Sequence, residues 1–126
     1  MARALVFIHS QGIVHCDLSP TNILLDTMGR MVLTDFGCAH RLRKDYQTDD
    51  PEDVDEIGTR PYKAPEHLFG HRVYTSATDV WSLGAIVGEL LLGRRVFRGE
   101  SDLEAIGSIV RTLGPPPKQV QDRVNS

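Results

Sequence analysis

Three short segments of the chain carry the side chains best suited to chemistry. They are residues 15–22 (His-Cys-Asp-Leu-Ser-Pro-Thr-Asn), residues 35–37 (Asp-Phe-Gly) and residues 58–66 (Gly-Thr-Arg-Pro-Tyr-Lys-Ala-Pro-Glu). Irregular segments of this kind commonly present binding and catalytic groups on a rigid scaffold. Taken singly, Asp17 is also typical of a helix or turn cap, and Asn22 of a turn. The order and spacing of all three segments are more specific than any one of them.

That order and spacing resemble the protein kinases, with a catalytic loop at 15–22, a metal-binding turn at 35–37 and an activation segment over 35–66. Phosphoryl transfer needs a hydroxyl aimed at the terminal phosphate of ATP, and magnesium to neutralise charge on the phosphate oxygens. The resemblance implies that Asp17 orients the substrate hydroxyl and accepts its proton. It implies that Asn22 and Asp35 bind Mg2+ beside ATP, since this hard cation prefers oxygen ligands.

The resemblance also implies structural and binding roles. His15 and Phe36 would stack in a column of side chains that reaches the central helix, and Asp79 would hold the backbone of the catalytic loop. The simple helix-capping interpretation of Asp79 is compatible with this role, because both use a carboxylate that accepts amide protons. Glu66 pairs in the family with an arginine beyond residue 126, so we expect it to be exposed or unpaired. Leu24 is a candidate contact for the adenine ring.

Further motifs narrow the resemblance to one group of kinases. Thr59 matches the threonine by which serine/threonine kinases bridge the activation segment to the catalytic aspartate. Residues 77–84, 88–93 and 112–116 resemble the group that contains the cyclin-dependent and mitogen-activated kinases, with the cyclin-dependent branch nearest. The resemblance implies protein substrates phosphorylated on Ser or Thr, with a weak preference for proline after the acceptor. It also implies a cyclin or another activating protein as a partner.

Four positions depart from the family pattern. Cys16 stands where an arginine would receive a phosphorylated activation loop, and Ser19 stands at the catalytic position where a lysine would contact the transferring phosphate. Because electrostatic stabilisation is normally a large contribution to catalysis, we predict a slow enzyme at best. Pro61 replaces a usual tryptophan, and Lys63 keeps the charge of a usual arginine without its bidentate geometry.

We expect residues 1–126 to be a partial kinase domain, because nothing in them matches the Gly-rich strand, the strand lysine or the helix glutamate that clamp ATP. The expected fold class is α+β, protein-kinase-like: a mostly α-helical C-terminal lobe with a short β-hairpin and no N-terminal lobe. Such a chain should be inactive alone and marginally stable. The alternative is a catalytically inactive, truncated kinase-like chain that acts as a protein-binding module.

Local patterns predict the elements that must position these residues. Residues 3–11 form a helix with Leu5 and Ile8 on one face, and 23–25 and 31–33 form a hairpin around Gly29. Residues 78–92 are apolar nearly all round, which predicts a central helix buried on most sides. On that helix, Gly84 and Gly88 would permit close packing of another backbone.

A following helix is predicted over about 102–113. Ser101 and Glu104 form a capping box at its start, and Gly114 with three prolines ends it. An apolar stripe is expected to face the core and consists of Leu103, Ile106, Ile109, Val110 and Leu113.

Composition excludes several classes of protein. The 126 residues have a net charge of -3 and are 40% apolar and 25% charged, which suits one core and is too short for two ordinary domains. No apolar run approaches the roughly 20 residues of a membrane helix, the apolar core of the amino terminus is too short for a secretory signal, and scattered bases do not indicate a nucleic-acid surface. We therefore expect no membrane or nucleic-acid partner and a cytoplasmic or nuclear location.

Two cysteines, Cys16 and Cys38, are expected to be reduced thiols; a redox pair would need their Cα atoms within about 7 Å. Seven acidic residues lie between 45 and 56 with no Lys or Arg among them, which is typical of a solvated loop. Alternatively, their carboxylates substitute for phosphate charge against Arg41, Arg43 or Arg60. Candidate regulatory phosphorylation sites are Tyr46 and Thr48.

Overall fold

The structure is a computed structural model that describes residues 1–42 and 57–124. The helices are α1 (Ala2–Ser10), α2 (Pro65–Leu68), α3 (Ser76–Leu92), α4 (Asp102–Leu113) and α5 (Lys118–Val124). Short 3-10 helices span Pro20–Asn22 and Arg60–Tyr62. The strands are β1 (Ile13–Val14), β2 (Ile23–Leu25), β3 (Met31–Leu33) and β4 (His40–Arg41). No helix in these two ranges has the length and apolar character needed to cross a bilayer.

The strands form two small antiparallel sheets. β2 and β3 make the predicted hairpin, with Leu24 paired to Val32. In its turn the Asp26 carboxylate accepts the amide protons of Met28 and Arg30, each at 2.8 Å, and Gly29 takes a φ of 79° that few other residues tolerate. β1 pairs with β4, which places the start of the 15–22 loop beside the segment that follows residues 35–37.

Helix α1 begins one residue before the prediction, and Leu5 and Ile8 are buried as expected. The core also takes in residues from the 15–22 loop and from α2, α3 and α4. Its buried members are Leu5, Ile8, Leu18, Tyr62, Leu68, Ala85, Ile86, Phe97, Ala105 and Ile109. Because Leu18 is one of them, the neighbouring Asp17 is fixed to the core through its own backbone.

Helix α3 begins at Ser76, two residues before the prediction, and Gly93 ends it. The expectation that it is buried on most sides is wrong for the described residues. Its buried face carries four small or polar residues (Thr78, Asp79, Ser82 and Ala85) and one large apolar residue, Ile86, whereas Val80, Leu90 and Leu91 are exposed. The physical reason is the element that this face contacts. It lies against the Arg60–Tyr62 helix, where the Ser82 hydroxyl donates to the Tyr62 main-chain carbonyl at 2.6 Å.

The expectation for the two glycines of α3 is also wrong. A Cβ placed on Gly84 would have no neighbouring atom within 4 Å. A Cβ on Gly88 would lie 2.6 Å from Cγ2 of Val96, which is a side chain rather than a second backbone.

Helix α4 spans the predicted residues, and one of the two hydrogen bonds of its predicted capping box is present. The Ser101 hydroxyl accepts the Glu104 amide proton at 3.2 Å, but the Glu104 carboxylate accepts from the amide of Glu100 instead of that of Ser101. The predicted apolar stripe is only partly in the core: Ile109 is buried, while Leu103, Val110 and Leu113 are exposed. The buried face is instead built on Ala105 and Ser108, since small side chains let α4 approach α2 and the Arg60–Tyr62 helix closely.

Candidate active site

Asp79 fixes the backbone of the 15–22 loop. Its carboxylate is 1% exposed and accepts the amide protons of His15 at 2.9 Å and of Cys16 at 3.0 Å. The His9 ring donates to the same carboxylate at 2.8 Å. Cys16 has a φ of 71°, a left-handed conformation that costs an ordinary residue roughly 1–2 kcal/mol. The two bonds from Asp79 hold the loop in this conformation just before Asp17.

Asp17 lies where the first and third segments meet. The Thr59 hydroxyl donates to Oδ1 of Asp17 at 2.8 Å. The amide nitrogen of Asn22 donates to the Asp17 carbonyl at 2.8 Å and lies 3.4 Å from Oδ2. The Asp17 amide proton is accepted by Nδ1 of His15 at 3.2 Å. One carboxylate oxygen is therefore oriented by Thr59, and the other keeps acceptor capacity.

Residues 35–37, the second segment, are connected to Asp17 through the ring of His15. The rings of His15 and Phe36 make an edge-to-face contact, with centroids 5.0 Å apart. Nε2 of His15 donates to the Thr34 carbonyl at 2.8 Å, which leaves Nδ1 as the acceptor for Asp17. Phe36 is 44% exposed, so the column of side chains is covered on one side only.

The negative charges of Asp35 and Asp17 both affect the pKa of the Cys38 thiol. Burial raises the pKa of Cys38, and the negative charges of Asp17 and Asp35 raise it further. Asp35 itself has a φ of 57°, and its Oδ1 accepts the Gly37 amide proton at 3.2 Å. The charges of two carboxylates from different segments therefore act in the same direction on one thiol.

The donor set fits magnesium. Because the Asn22 nitrogen is used by Asp17, the amide oxygen of Asn22 is left for a cation, and Asp35 has an oxygen that Gly37 does not use. Within 1–42 and 57–124, no cluster of three or more His, Cys, Asp or Glu could hold a metal ion. Mg2+ suits such a sparse set, because it keeps waters and phosphate oxygens in its coordination shell.

Leu24 lies on the hairpin and is 55% exposed, so its side chain is accessible to an adenine ring. When bound, ATP would supply the phosphoryl group, and Mg2+ would neutralise the charge that develops on it.

The two departures inside the loop are both buried and uncharged. The Ser19 hydroxyl is hydrogen-bonded to that of Thr21 at 2.8 Å. Burial strongly raises the pKa of Cys16, whose sulfur lies 3.7 Å from Nδ1 of His40. Cys16 and Cys38 are both free thiols. Neither position supplies the positive charge that the family pattern has there.

Glu66 is partly exposed, at 40% of its side chain, and its Oε1 lies 3.7 Å from Nε2 of His67. Burial lowers the pKa of His67, so the contact is not an ion pair near neutral pH. Sequence analysis missed His67, as well as the bond from His9 to Asp79, because a single histidine carries no spacing signal. Tyr46, Thr48, Arg43 and the acidic segment lie outside the described residues.

Sequence analysis also missed the partners of Arg60. Its Nε donates to Oδ1 of Asp102 at 3.0 Å, and its Nη1 donates to the Glu100 carbonyl at 2.9 Å. The end of the 58–66 segment is thereby attached to the start of α4.

Comparison with known proteins identifies the family. The family model for the protein kinase domain matches residues 1–124. Glycogen synthase kinase 1 of Pyricularia oryzae is 44% identical over 118 residues, covering 93% of this chain and 29% of that protein. Mitogen-activated protein kinase HOG1 of Wallemia muriae is 37% identical over all 126 residues, or 43% of its own length. Cyclin-dependent kinase 20 of Homo sapiens is 38% identical over 120 residues, covering 95% of this chain and 34% of that protein.

The chain thus spans less than half the length of each of these three relatives. The match covers all three sequence segments and the helices that position them. The chain belongs to the protein kinase domain family, among the serine/threonine kinases of the cyclin-dependent and mitogen-activated group.

Proposed function

We propose that this chain is the part of a serine/threonine protein kinase that orients the acceptor hydroxyl and removes its proton during phosphoryl transfer from MgATP. The observation that carries the proposal is the Thr59 hydroxyl bound to Oδ1 of Asp17 at 2.8 Å. This bond joins the segment after the activation loop to the proposed base. It supports Asp17 as a group whose direction is set before the substrate arrives.

The residues around Asp17 would have separate roles in orientation, support of the backbone and binding of MgATP. Thr59 and the Asn22 nitrogen set the orientation of the carboxylate, and His15 and Asp79 hold the backbone beneath it. An acceptor hydroxyl at Asp17 would donate its proton to the carboxylate as the oxygen becomes nucleophilic. Asn22 and Asp35 would hold Mg2+ through oxygen atoms, and Leu24 would contact the adenine.

The test is Asp17→Asn in the protein that carries this chain, assayed for phosphate transfer to a protein substrate. Asparagine keeps the shape of the side chain but cannot accept the proton. General-base catalysis contributes about 10²–10⁴-fold, so we expect kcat to fall by at least about 100-fold. Asp122→Asn in α5 is the matched control and should leave kcat unchanged. Full activity in Asp17→Asn would refute the proposal.

The proposals for the substrate class and the partner rest on the group of kinases to which the chain belongs, and not on the geometry around Asp17. Two relatives are named cyclin-dependent kinases, Cyclin-dependent kinase 7 of Caenorhabditis elegans and Cyclin-dependent kinase 20 of Homo sapiens. We extend to this chain a protein substrate, a proline after the acceptor and a cyclin-type activating partner. Kinetics with peptides that carry proline or alanine after the acceptor would test the preference.

Ser19 favours a second candidate function, a non-catalytic protein-binding module. Its hydroxyl is buried and bonded to Thr21, so this position provides no cation for a transferring phosphate. A module of this kind would keep its cellular phenotype when Asp17 is changed to Asn, whereas the phenotype of an enzyme would be lost.

A further inference from the structure

A cleft opens beside the Arg60–Tyr62 helix, with Pro61 in its lining. Phe97 is the buried member of its lining and stacks on Trp81, with ring centroids 5.5 Å apart. The full lining is Pro61, Arg94, Arg95, Phe97, Arg98, Gly99 and Glu100. We call this feature the arginine cleft.

The walls of the arginine cleft are fixed relative to one another. Arg60 donates to Asp102 at 3.0 Å and to the Glu100 carbonyl at 2.9 Å, which attaches the Pro61 wall to the Glu100 wall. The amide of Arg98 donates to the buried Ser108 hydroxyl at 3.0 Å. The segment that presents the arginines is therefore anchored to α4 and does not depend on a ligand for its position.

The lining has an excess of positive charge. Arg94, Arg95 and Arg98 face a single acid, Glu100, so the formal charge of the lining is +2. Arg95 lies against the Tyr62 hydroxyl, which in turn donates to Glu89. Among the described residues, the guanidinium groups of Arg94 and Arg98 have no hydrogen-bond or ion-pair partner. Two uncompensated guanidinium groups in one cleft favour an anionic ligand.

The cleft is within reach of a substrate bound at Asp17. Thr59 contacts Asp17, and Pro61 is two residues further along, at most about 7 Å of chain. An extended peptide advances about 3.3 Å per residue. A side chain a few positions from the acceptor hydroxyl would therefore lie near the Pro61 wall of the cleft.

We propose that the arginine cleft binds a phosphoserine or phosphothreonine already present in the protein substrate, about two to four residues from the acceptor. This inference rests on the proposed kinase function, because it assigns a substrate class to the same site. A phosphate monoester carries a charge of about −1.5 to −2 near neutral pH, which matches the lining, and its oxygens accept bidentate bonds from guanidinium groups. A carboxylate carries a single negative charge, about half to two thirds of that of the phosphate, and has one oxygen fewer to accept hydrogen bonds.

The test measures binding without catalysis. The probes are fluorescent peptides with alanine at the acceptor position. Each peptide carries phosphoserine, glutamate or serine at one position, which is the second, third or fourth residue from the acceptor. Their affinity for the full protein is measured by anisotropy in the absence of ATP. We expect the best phosphoserine peptide to bind at least tenfold more tightly than its serine and glutamate counterparts.

Variants locate the effect. Arg94→Ala combined with Arg98→Ala should reduce phosphopeptide binding to the level of the serine peptide, and lysine at both positions should restore it only in part. Arg111→Ala, an exposed arginine at the end of α4, is the matched control and should change nothing. Thermal unfolding of each variant checks that it folds, and within residues 1–42 and 57–124 neither guanidinium group makes a hydrogen bond or ion pair that the substitution would remove.

Three results would overturn the proposal: equal binding of phosphoserine and serine peptides, equal binding of glutamate and phosphoserine peptides, or an equal loss in Arg111→Ala. Failure of the kinase function is separate. If the unmodified protein binds the phosphopeptide tightly but transfers no phosphate from MgATP to the matching peptide that carries serine at the acceptor position, the enzyme is rejected and the cleft is retained.

Discussion

At the scale of single residues, His67 is held neutral by two hydrogen bonds that fix its tautomer. Its Nδ1 donates to the His71 carbonyl at 2.7 Å, and its Nε2 accepts from the Thr78 hydroxyl at 2.8 Å. The ring also stacks on Tyr74, with centroids 4.3 Å apart. A proton added at Nε2 would replace the acceptor that Thr78 needs with a second donor.

We therefore predict an acid-dependent loss of stability from His67. Burial lowers its pKa in the folded protein, while the unfolded chain keeps a pKa near the ordinary 6.5. The unfolded state then binds more protons, so the contribution is present above about pH 6.5 and is lost as the pH falls towards the folded pKa. The free energy of urea unfolding, measured at pH 7.5 and 5.5, should decrease at the lower pH.

His67→Gln should flatten this pH dependence, and His71→Gln should preserve most of it, since His67 uses the main-chain carbonyl of residue 71. The charged and titratable groups facing His67 are Lys63, Glu66 and His71, of which Glu66 favours protonation and the other two oppose it. An unchanged slope in His67→Gln would assign the effect to another group.

The resemblance to serine/threonine kinases implied a contact of Thr59 with Asp17, and the Thr59 hydroxyl lies 2.8 Å from Oδ1 of Asp17. The environment of His67 could not be predicted in the same way. Its two partners, Thr78 and the carbonyl of residue 71, come from different elements, and a lone histidine is as compatible with solvent as with the core.

At the scale of elements, the approach of the 94–101 segment to α4 depends on Gly99. A Cβ on Gly99 would lie 2.5 Å from the Ala105 nitrogen and 2.8 Å from the Glu104 carbonyl carbon, and both are backbone atoms. By contrast, Gly84 faces solvent in the middle of α3 with no atom within 4 Å of a Cβ.

The two glycines should respond to alanine in opposite directions. Gly99→Ala should lower the free energy of unfolding by about 1–3 kcal/mol, because the backbone of α4 must move. Gly84→Ala should raise it by about 0.5–1 kcal/mol, since alanine is the better helix former. Chemical denaturation of both variants measures the difference, and a stabilising effect of Gly99→Ala would show that the close approach is not required.

The ends of the helices were predictable and their buried faces were not. Caps such as Ser101 and stops such as Gly93 act within a few residues, so α4 was predicted with its observed bounds and α3 within two residues. Which face of a helix is buried depends on the elements that pack against it in the folded protein. Ser82 of α3 donates to the Tyr62 carbonyl and Ser108 of α4 accepts the Arg98 amide proton, and these backbone contacts could not be read from the sequence.

At the scale of the whole molecule, Asp79 joins three parts of the chain. Through His9 it reaches α1, through His15 and Cys16 it reaches the 15–22 loop, and it belongs to α3. The sequence separations are 70, 64 and 63 residues. Contacts this distant in sequence are made only when the tertiary fold is complete.

We predict that Asp79→Ala destabilises the whole molecule. It leaves two buried amide protons without an acceptor, each at a cost of about 1–3 kcal/mol, so the free energy of unfolding should fall by about 2–6 kcal/mol. Hydrogen exchange should accelerate at the amides of residues 15 and 16 and also within α1. Asp122→Ala serves as the control, and loss of protection at residues 15 and 16 alone would show that Asp79 acts locally.

The arginine cleft shows why part of the site escapes prediction. Pro61 and the 94–100 segment lie more than 30 residues apart, and neither has a motif for anion binding. The bonds of Arg60 to Glu100 and Asp102 bring them together, and such pairings follow from the assembled helices rather than from spacing along the chain.

The two thiols beside the proposed base have a practical consequence for inhibitor chemistry. Electrophilic warheads react with thiolates, and burial raises the pKa of both Cys16 and Cys38. The carboxylates of Asp17 and Asp35 raise the Cys38 pKa further, so the groups that would perform catalysis also keep the neighbouring sulfur protonated. A compound designed to bind beside Asp17 should gain its residence time from reversible contacts with the hairpin and the 15–22 loop rather than from covalent capture.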